Sequence, residues 1–298
     1  MALYVVGNVC VDDTFYVERL PRPGETINAV ATLRGVGGKG ANQAVAAART
    51  GANVIFSAAL GADPEAVFVR AALTADLSLS GLVVLETPTD RSTILVDASG
   101  ENLVVTAAAS ARTFDPTSLR DRPGQGDYLL MQGNLTAKAT RAVLDLARNK
   151  GVVTILNPSP LGPAGIPEAD VVIVNAVEAE ALSGAPRPDD AAYALSRGGA
   201  ARVVVTLGAA GALYLDNGAT RVEHVAAPVV AAVDTSGAGD VFAGVLSGCL
   251  AQGQSLASAV HIGVKASALA VTRRGTLAAC PSRSEMAAFI QGQSRISS

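Results

Sequence analysis

Five short runs of aliphatic and β-branched residues punctuate the chain, at Leu3–Val6, Val54–Phe56, Val152–Leu156, Val171–Val174 and Val203–Thr206. Each is apolar at almost every position, so both of its faces must be covered, as in a parallel sheet sandwiched between helices. Ala-rich stretches lie between them. Ala41–Arg49 is closed by Gly51 and Ala137–Asn149 by Gly151, a common way for a helix to end. This rhythm predicts an α/β fold with a mainly parallel central sheet and helices on both sides.

Two segments break the rhythm. Thr26–Arg34 alternates, with Ile27, Ala29, Ala31 and Leu33 on one side and Asn28, Thr32 and Arg34 on the other. Ser92–Val105 reads as a hairpin turning at Ser99-Gly100. Both are expected to be half-exposed antiparallel strands in one small sheet attached to the main body. Ala212–Val222 is expected to form a further hairpin around Asp216-Asn217-Gly218.

Composition narrows the possibilities. A chain of 298 residues suits one large α/β domain, or such a domain with a small appendage. Its hydrophobic share is 49% but its aromatic share only 4%, so Ala, Val, Leu and Gly must pack helices close on the sheet. A net charge of −3 offers no footprint for nucleic acid, and no 18-residue apolar run is present to span a membrane. The chain enters Leu3-Tyr4-Val5-Val6 without a basic segment, so no secretory signal is expected. Cys10, Cys249 and Cys280 are few, scattered and odd in number, which speaks for a reducing cytoplasm and against a disulfide framework or zinc site. Cys249 and Cys280 read as small buried hydrophobes.

Polar residues follow several of the buried strands: Asn157, Asn175 and Thr206. The carboxyl ends of parallel strands are where open α/β sheets build ligand sites. Two glycine clusters add to this. Gly35-Val36-Gly37-Gly38-Lys39-Gly40-Ala41-Asn42-Gln43 formally contains GxGxxG, but it follows an alternating strand, not the first buried one. It is not a P-loop either, because Gly40 stands where Ser or Thr would hold magnesium. Two readings remain: a turn bringing backbone N–H groups, Lys39 and Asn42 to a helix N-terminus, or a tight turn that only lets helix and strand pack. In Val233-Asp234-Thr235-Ser236-Gly237-Ala238-Gly239-Asp240, the amides of Gly237, Ala238 and Gly239 can converge on one anionic spot. Asp240, in the same turn, is either a general base or a partner for the helix dipole.

Together the clusters resemble the two signature motifs of the ribokinase-like (PfkB) family of carbohydrate kinases. They match at Gly37-Gly38-Lys39-Gly40-Ala41-Asn42-Gln43 and at Asp234 through Asp240. The resemblance continues through Gly7 and Asp12, Pro23-Gly24-Glu25-Thr26, Asn175 with Glu178, Thr206-Leu207-Gly208 with Gly211, and Val271-Thr272-Arg273-Arg274-Gly275. It implies a single three-layer αβα domain over 1–298, with a β lid inserted at about 13–34 and 90–106. It implies transfer of the γ-phosphoryl of ATP to a hydroxymethyl group of a small sugar or polyol. Asp240 would be the base, and Gly237, Ala238 and Gly239 the anion hole. Asp12, Gly38, Lys39 and Asn42 would hold the sugar with Asp240. Thr206, Gly208, Gly211 and Gly239 would border the nucleotide. Asn175 and Glu178 would organise Mg2+, largely through water, and K+ would sit at Asp234, Ser236, Ala270, Arg273 and Gly275.

Three positions depart from the family pattern. Cys10 stands where ribokinases carry a sugar-binding Asn, Asn134 where a Glu is usual, and Ala279 where a Ser is frequent. Cys10 and Asn134 therefore put ribose in doubt, in favour of a furanose-forming ketose, a deoxy sugar or a sugar acid. Arg34 and Arg91 are candidates to meet an acidic group. A nucleoside kinase and a catalytically silent sugar-binding homologue are the alternatives. The alternating lid strands offer an edge for a homodimer, the other outcome being a monomer with a solvated lid.

Overall fold

Strand β1 (Ala2–Val6) lies inside the main sheet, third from one edge, and the rest of the chain builds outward from it on both sides. The computed structural model describes residues 1–119, 121–163 and 165–294; the expected domain over 1–298 includes 120, 164 and 295–298, which lie outside these described residues. After β2 (Cys10–Tyr16) and β3 (Ala31–Gly37) the chain forms helix α1 (Lys39–Arg49), β4 (Asn53–Leu60), α2 (Pro64–Leu73) and β5 (Leu82–Val84). Next come β6 (Asp90–Val96), β7 (Asn102–Ala107) and α3 (Ala109–Thr113). The second half continues with β8 (Tyr128–Gln132), α4 (Ala137–Arg148), β9 (Val153–Asn157), β10 (Val171–Asn175), α5 (Ala176–Ser183) and α6 (Pro188–Arg197). It closes with β11 (Arg202–Thr206), β12 (Ala212–Leu215), β13 (Glu223–Val225), α7 (Ala238–Ala251), α8 (Leu256–Ala270) and α9 (Arg283–Ser294).

The main sheet has the order β13-β12-β11-β10-β9-β8-β1-β4-β5. It is parallel from β11 to β5 and antiparallel at the β12 and β13 edge. Strand residues alternate between two cores. Leu3, Val5, Leu130, Ile155 and Val204 pack with α1, α2, α7 and α8, while Leu129, Met131, Leu156, Val172 and Val203 pack with α4, α5 and α6. Burial on both faces is why these strands read as continuous apolar runs. From β1 the chain first builds toward β5 and later, from β8, toward β13. The strand order therefore switches between β1 and β8, and the carboxyl ends there flank the crevice in which such sheets bind ligands.

Helix α7 is buried from Asp240 to Ala251 and packs against both α1 and α8. A side chain on Gly244 would run into the Gln43 carbonyl, and one on Gly248 into Ala47 and Thr50. Glycine here lets α1 and α7 approach closely, which accounts for the Ala- and Gly-rich composition.

A second sheet, β3-β2-β6-β7, pairs β2 with β6 in parallel and the other neighbours antiparallel. Its register differs from the alternation expected. β3 starts at Ala31, which pairs with Tyr16, the last residue of β2, and the segment from Thr26 to Val30 lies outside the strand. Ala31 to Arg34 are all exposed, so that stretch has no buried apolar side. The 212–222 hairpin also differs: its turn sits at Asp216–Ala219, with Gly218 at φ 73°, but the second strand begins only at Glu223. Among the described residues no helix is long and apolar enough to cross a membrane. All three cysteines are buried and free.

Candidate active site

The turn before α1 is made by Gly38, at φ 92°, where a side chain would meet the backbone of Val9 at 2.8 Å. Residue types with a side chain are excluded by both conformation and space. The turn seats α1 on the end of β1: Gly40 donates to Asn8 Oδ1 and Ala41 to the Asn8 carbonyl. Gly237, at φ 76°, plays the same part for α7. The first amides of a helix have no intrahelical acceptor and carry its positive dipole end, so the spot facing Gly237, Ala238 and Gly239 favours an anion. Ala238 N also donates to the Thr235 carbonyl at 3.3 Å.

The two clusters, far apart in sequence, meet at Asp240. Its carboxylate is 5% exposed and accepts from Asn42 Nδ2 at 3.1 Å, Gln43 Nε2 at 3.0 Å and Lys39 Nζ at 3.5 Å. Gln43 is the centre of a wider network. It also donates to Asn157 Oδ1 at the end of β9, and its own Oε1 accepts from Gln132 Nε2 at the end of β8. In the sequence Gln43 stands out only as part of a motif, and Gln132 in no motif at all. The signal for Gln132 was available, since it follows an apolar strand just as Asn157 does. Asn42 Oδ1, Gln132 Oε1 and Asn134 Oδ1 are buried acceptors without a donor among the described residues. Buried polar atoms are rarely left so, and acceptors gathered here fit the hydroxyl donors of a polyol.

The small sheet supplies the facing wall. Asp12 is buried on β2, with its carboxylate lying over Gly37, where a side chain would collide with it. Burial, with the nearby charges of Asp240 and Asp13, raises its pKa despite hydrogen bonds from Cys10 and Ser92. Cys10 donates its thiol proton to Asp12 Oδ1 at 3.1 Å. Burial first, then the Asp12 charge, pushes the thiol well above its usual value, so it stays protonated. Asp90, behind it, is pushed up to about 6 by burial, opposed by the Ser110 and Ala111 amides that it caps.

Arg34 and Arg91 do not meet the site. Strand side chains alternate, and these two project with Asp13 from the face opposite Asp12. Arg34 lies 3.2 Å and Arg91 3.8 Å from Glu65; Arg91 also pairs with Asp13 at 2.8 Å. The expectation that they greet an acidic substrate is therefore set aside.

Beside the α7 N-terminus a cavity of about 390 Å3 is lined by Thr206, Gly208, Gly211, Thr235, Ala238 and Gly239, with Val229, Val230, Phe242 and Val264 as apolar walls. Asn175 pairs with Thr206 across β10 and β11, which brings Asn175 and Glu178 to the same sheet edge. They form a capping box: Glu178 N donates to Asn175 Oδ1 at 2.8 Å, and Asn175 N to Glu178 Oε2 at 3.0 Å. Asp234 staples two loops, accepting from Ser236 N and Gly275 N, both at 2.9 Å. The Ala270 carbonyl accepts from Arg273 N at 3.0 Å, and the Arg273 guanidinium pairs with Glu285. That pairing holds Glu285 down to about 2. The small sheet touches this loop through the Arg274 guanidinium, 5.2 Å from the centre of the Tyr16 ring. Among the described residues no group of three or more His, Cys, Asp or Glu is placed to hold a metal ion.

Comparison with known proteins agrees with this geometry. The pattern of the pfkB family carbohydrate kinases matches residues 2–283. The chain is 32% identical to a ribokinase of Staphylococcus aureus, covering 93% of this chain and 95% of that one. It is 30% identical to a deoxyribokinase of Salmonella typhi, over 95% and 96%. The crystal structure of a ribokinase from Thermotoga maritima superposes with a TM-score of 0.84 at 29% identity, covering 97% of this chain and 99% of that one. With its signature motifs meeting at Asp240 on a three-layer α/β fold, the chain belongs to the pfkB family of carbohydrate kinases.

Proposed function

We propose that this ATP-dependent carbohydrate kinase phosphorylates a hydroxymethyl group of a small neutral sugar or polyol, with Asp240 as general base. The supporting observation is the Asp240 carboxylate, held by Lys39, Asn42 and Gln43 at the head of α7. Asp240 takes the hydroxyl proton, the hydroxyl oxygen bonds to the γ-phosphorus, and the bond from that phosphorus to the β-phosphate oxygen breaks to release ADP. The Gly237, Ala238 and Gly239 amides face the charge that develops. Asp12, Gly38, Lys39 and Asn42 hold the sugar between the two sheets, while the Thr206 to Gly211 cavity takes the nucleotide. Closure of the small sheet as a lid would exclude water.

Two metal ions complete this reading. Asn175 and Glu178 present hard oxygen donors at the sheet edge that bears the cavity, which suits Mg2+ held through water. The carboxylate of Asp234 and the carbonyls around Ser236, Ala270, Arg273 and Gly275 are likewise oxygen donors, suited to K+. Both ions would offset phosphoryl charge when bound.

Cys10 and Asn134 bear on the sugar. A thiol is a weak donor and acceptor, so a hydroxyl aimed at Cys10 would forgo most of a bond worth about 1–3 kcal/mol when buried. Ribose is therefore expected to rank below a furanose-forming ketose or a deoxy sugar. ADP release with a panel of sugars and nucleosides tests the whole reading. A nucleoside ranking first would point to a nucleoside kinase, and no release with any acceptor to a silent binder. Ribose ranking clearly first would defeat the argument from Cys10 and Asn134.

The small sheet is also proposed as the seat of a homodimer. Phe15, Leu33, Leu103, Val104 and Val105 are exposed on it, and β3 and β7 are its edge strands. Light scattering is expected to return twice the chain mass; a monomer mass across working concentrations rejects the dimer.

A further inference from the structure

Asp12, Ser92 and Thr106 are directly paired across β2, β6 and β7, so their side chains stand in one row on the face turned to the site. Cys10, two residues before Asp12, shares that face. The four side chains form a continuous chain of hydrogen bonds. Thr106 Oγ1 lies 3.0 Å from Ser92 Oγ, Ser92 Oγ 3.4 Å from Cys10 Sγ, and Cys10 Sγ 3.1 Å from Asp12 Oδ1. Cys10, Ser92 and Asp12 are buried, whereas Thr106 is exposed at the outer end of the row.

The chain has only one self-consistent direction. An ionised carboxylate accepts and never donates. The single thiol proton of Cys10 is spent on Asp12, so Cys10 can only accept from Ser92. The single hydroxyl proton of Ser92 is then spent toward the Cys10 and Asp12 end, and Ser92 accepts from Thr106. The Thr106 proton therefore points inward, and what its hydroxyl turns to the cleft is lone pairs.

Resting on the carbohydrate-kinase reading, we propose that Thr106, polarised through Ser92 and Cys10 by Asp12, determines specificity by accepting a hydrogen bond from a sugar hydroxyl at the lid end. The substrate class follows from the direction of the chain. A neutral sugar bearing a hydroxyl there has a proton to give, whereas a deoxy carbon or a carboxylate at that position has none. Cys10 acts here as a positioning residue, since only a group carrying one proton can pass the polarity on.

The test compares kcat/KM for D-ribose and D-fructose with their monodeoxy analogues and with D-ribonate and D-gluconate, under saturating ATP. At the single position that meets Thr106, as distinct from the one aimed at Cys10, the wild type is expected to favour the hydroxylated sugar at least about tenfold, the scale of one hydrogen bond made or lost. Thr106→Val keeps the β-branched shape suited to a strand but removes the hydroxyl, and should erase that ratio. Thr106→Ser should restore it, which separates loss of the hydroxyl from loss of packing. Cys10→Ala should lower the ratio, and the fall should lie in KM for the hydroxylated sugar. A ratio that is the same in wild type and Thr106→Val, in enzymes that both turn over, overturns this inference alone. Absence of ADP release from the wild type with every sugar overturns the reading of the site on which it rests.

Discussion

Asp240→Asn is expected to lower turnover by roughly 10²–10⁴, the range for removal of a positioned general base. Asn cannot take the sugar proton at neutral pH, so the step that depends on Asp240 stalls. The substitution is nearly isosteric, and one oxygen remains to accept from Asn42 or Gln43. The new amide group faces donors in place of an acceptor, which costs about 1–3 kcal/mol of local hydrogen bonding. Thermal unfolding should therefore register a modest loss, with the fold retained. Calorimetric titration should find ATP and sugar binding close to wild type, so the change falls on kcat. Near-normal ADP production by the variant would remove Asp240 from the role of base, leaving it as a residue that ties α1 to α7.

Withdrawal of Mg2+ by a chelator should reduce ADP release by roughly 10²-fold or more, the scale on which loss of one stabiliser of developing charge is felt. At fixed Mg2+, exchange of K+ for Na+ or for a bulky organic cation should lower the rate. The argument for K+ starts from Asp234, which closes the 234–236 and 270–275 loops on each other through two amide hydrogen bonds. An ion among those carbonyls would lie near the head of α7, where phosphoryl charge grows. Ala279 is buried in this region, and a carbonyl remains there where the frequent Ser side chain is absent. A flat response to K+ would strike the monovalent site from the reading, and undiminished activity in chelator would strike Mg2+.

A response to K+ would bear on the small sheet as well. Arg274 sits in the same loop and reaches the Tyr16 ring of the small sheet. Ordering of the loop and placement of the small sheet thus share a contact, through residues that touch neither ATP nor sugar in this reading.

Much of the main sheet was legible before any coordinates. Runs such as Val171–Val174 must be covered on both faces, and Gly51 and Gly151 punctuate helices because few other residues adopt positive φ cheaply. The small sheet was harder. β2 carries Asp12 and Asp13 side by side and shows no apolar alternation, because one of its faces lines the site and the other an ion-paired surface. Thr26–Val30 alternates but has no strand to pair with once β2 ends at Tyr16. Arg34 and Arg91 read as ligands for an acid until register placed them opposite Asp12. Asn175 and Glu178 were read as metal organisers, and the coordinates add a capping role that the spacing of three residues equally encodes.

Residue chemistry is local, and so the amides at Gly237 to Gly239, the carboxylate of Asp240 and the weak thiol of Cys10 could be read directly from the chain. Which of them share a site is not local. Lys39 and Asp240 are 201 positions apart, and they meet because Gly244 and Gly248 let α7 lie close against α1. Likewise, Ser92 and Thr106 belong to the wall of the site only because the pairing of β2, β6 and β7 sets them in the row of Asp12. A slip of one residue in that register would turn every one of those side chains to the other face.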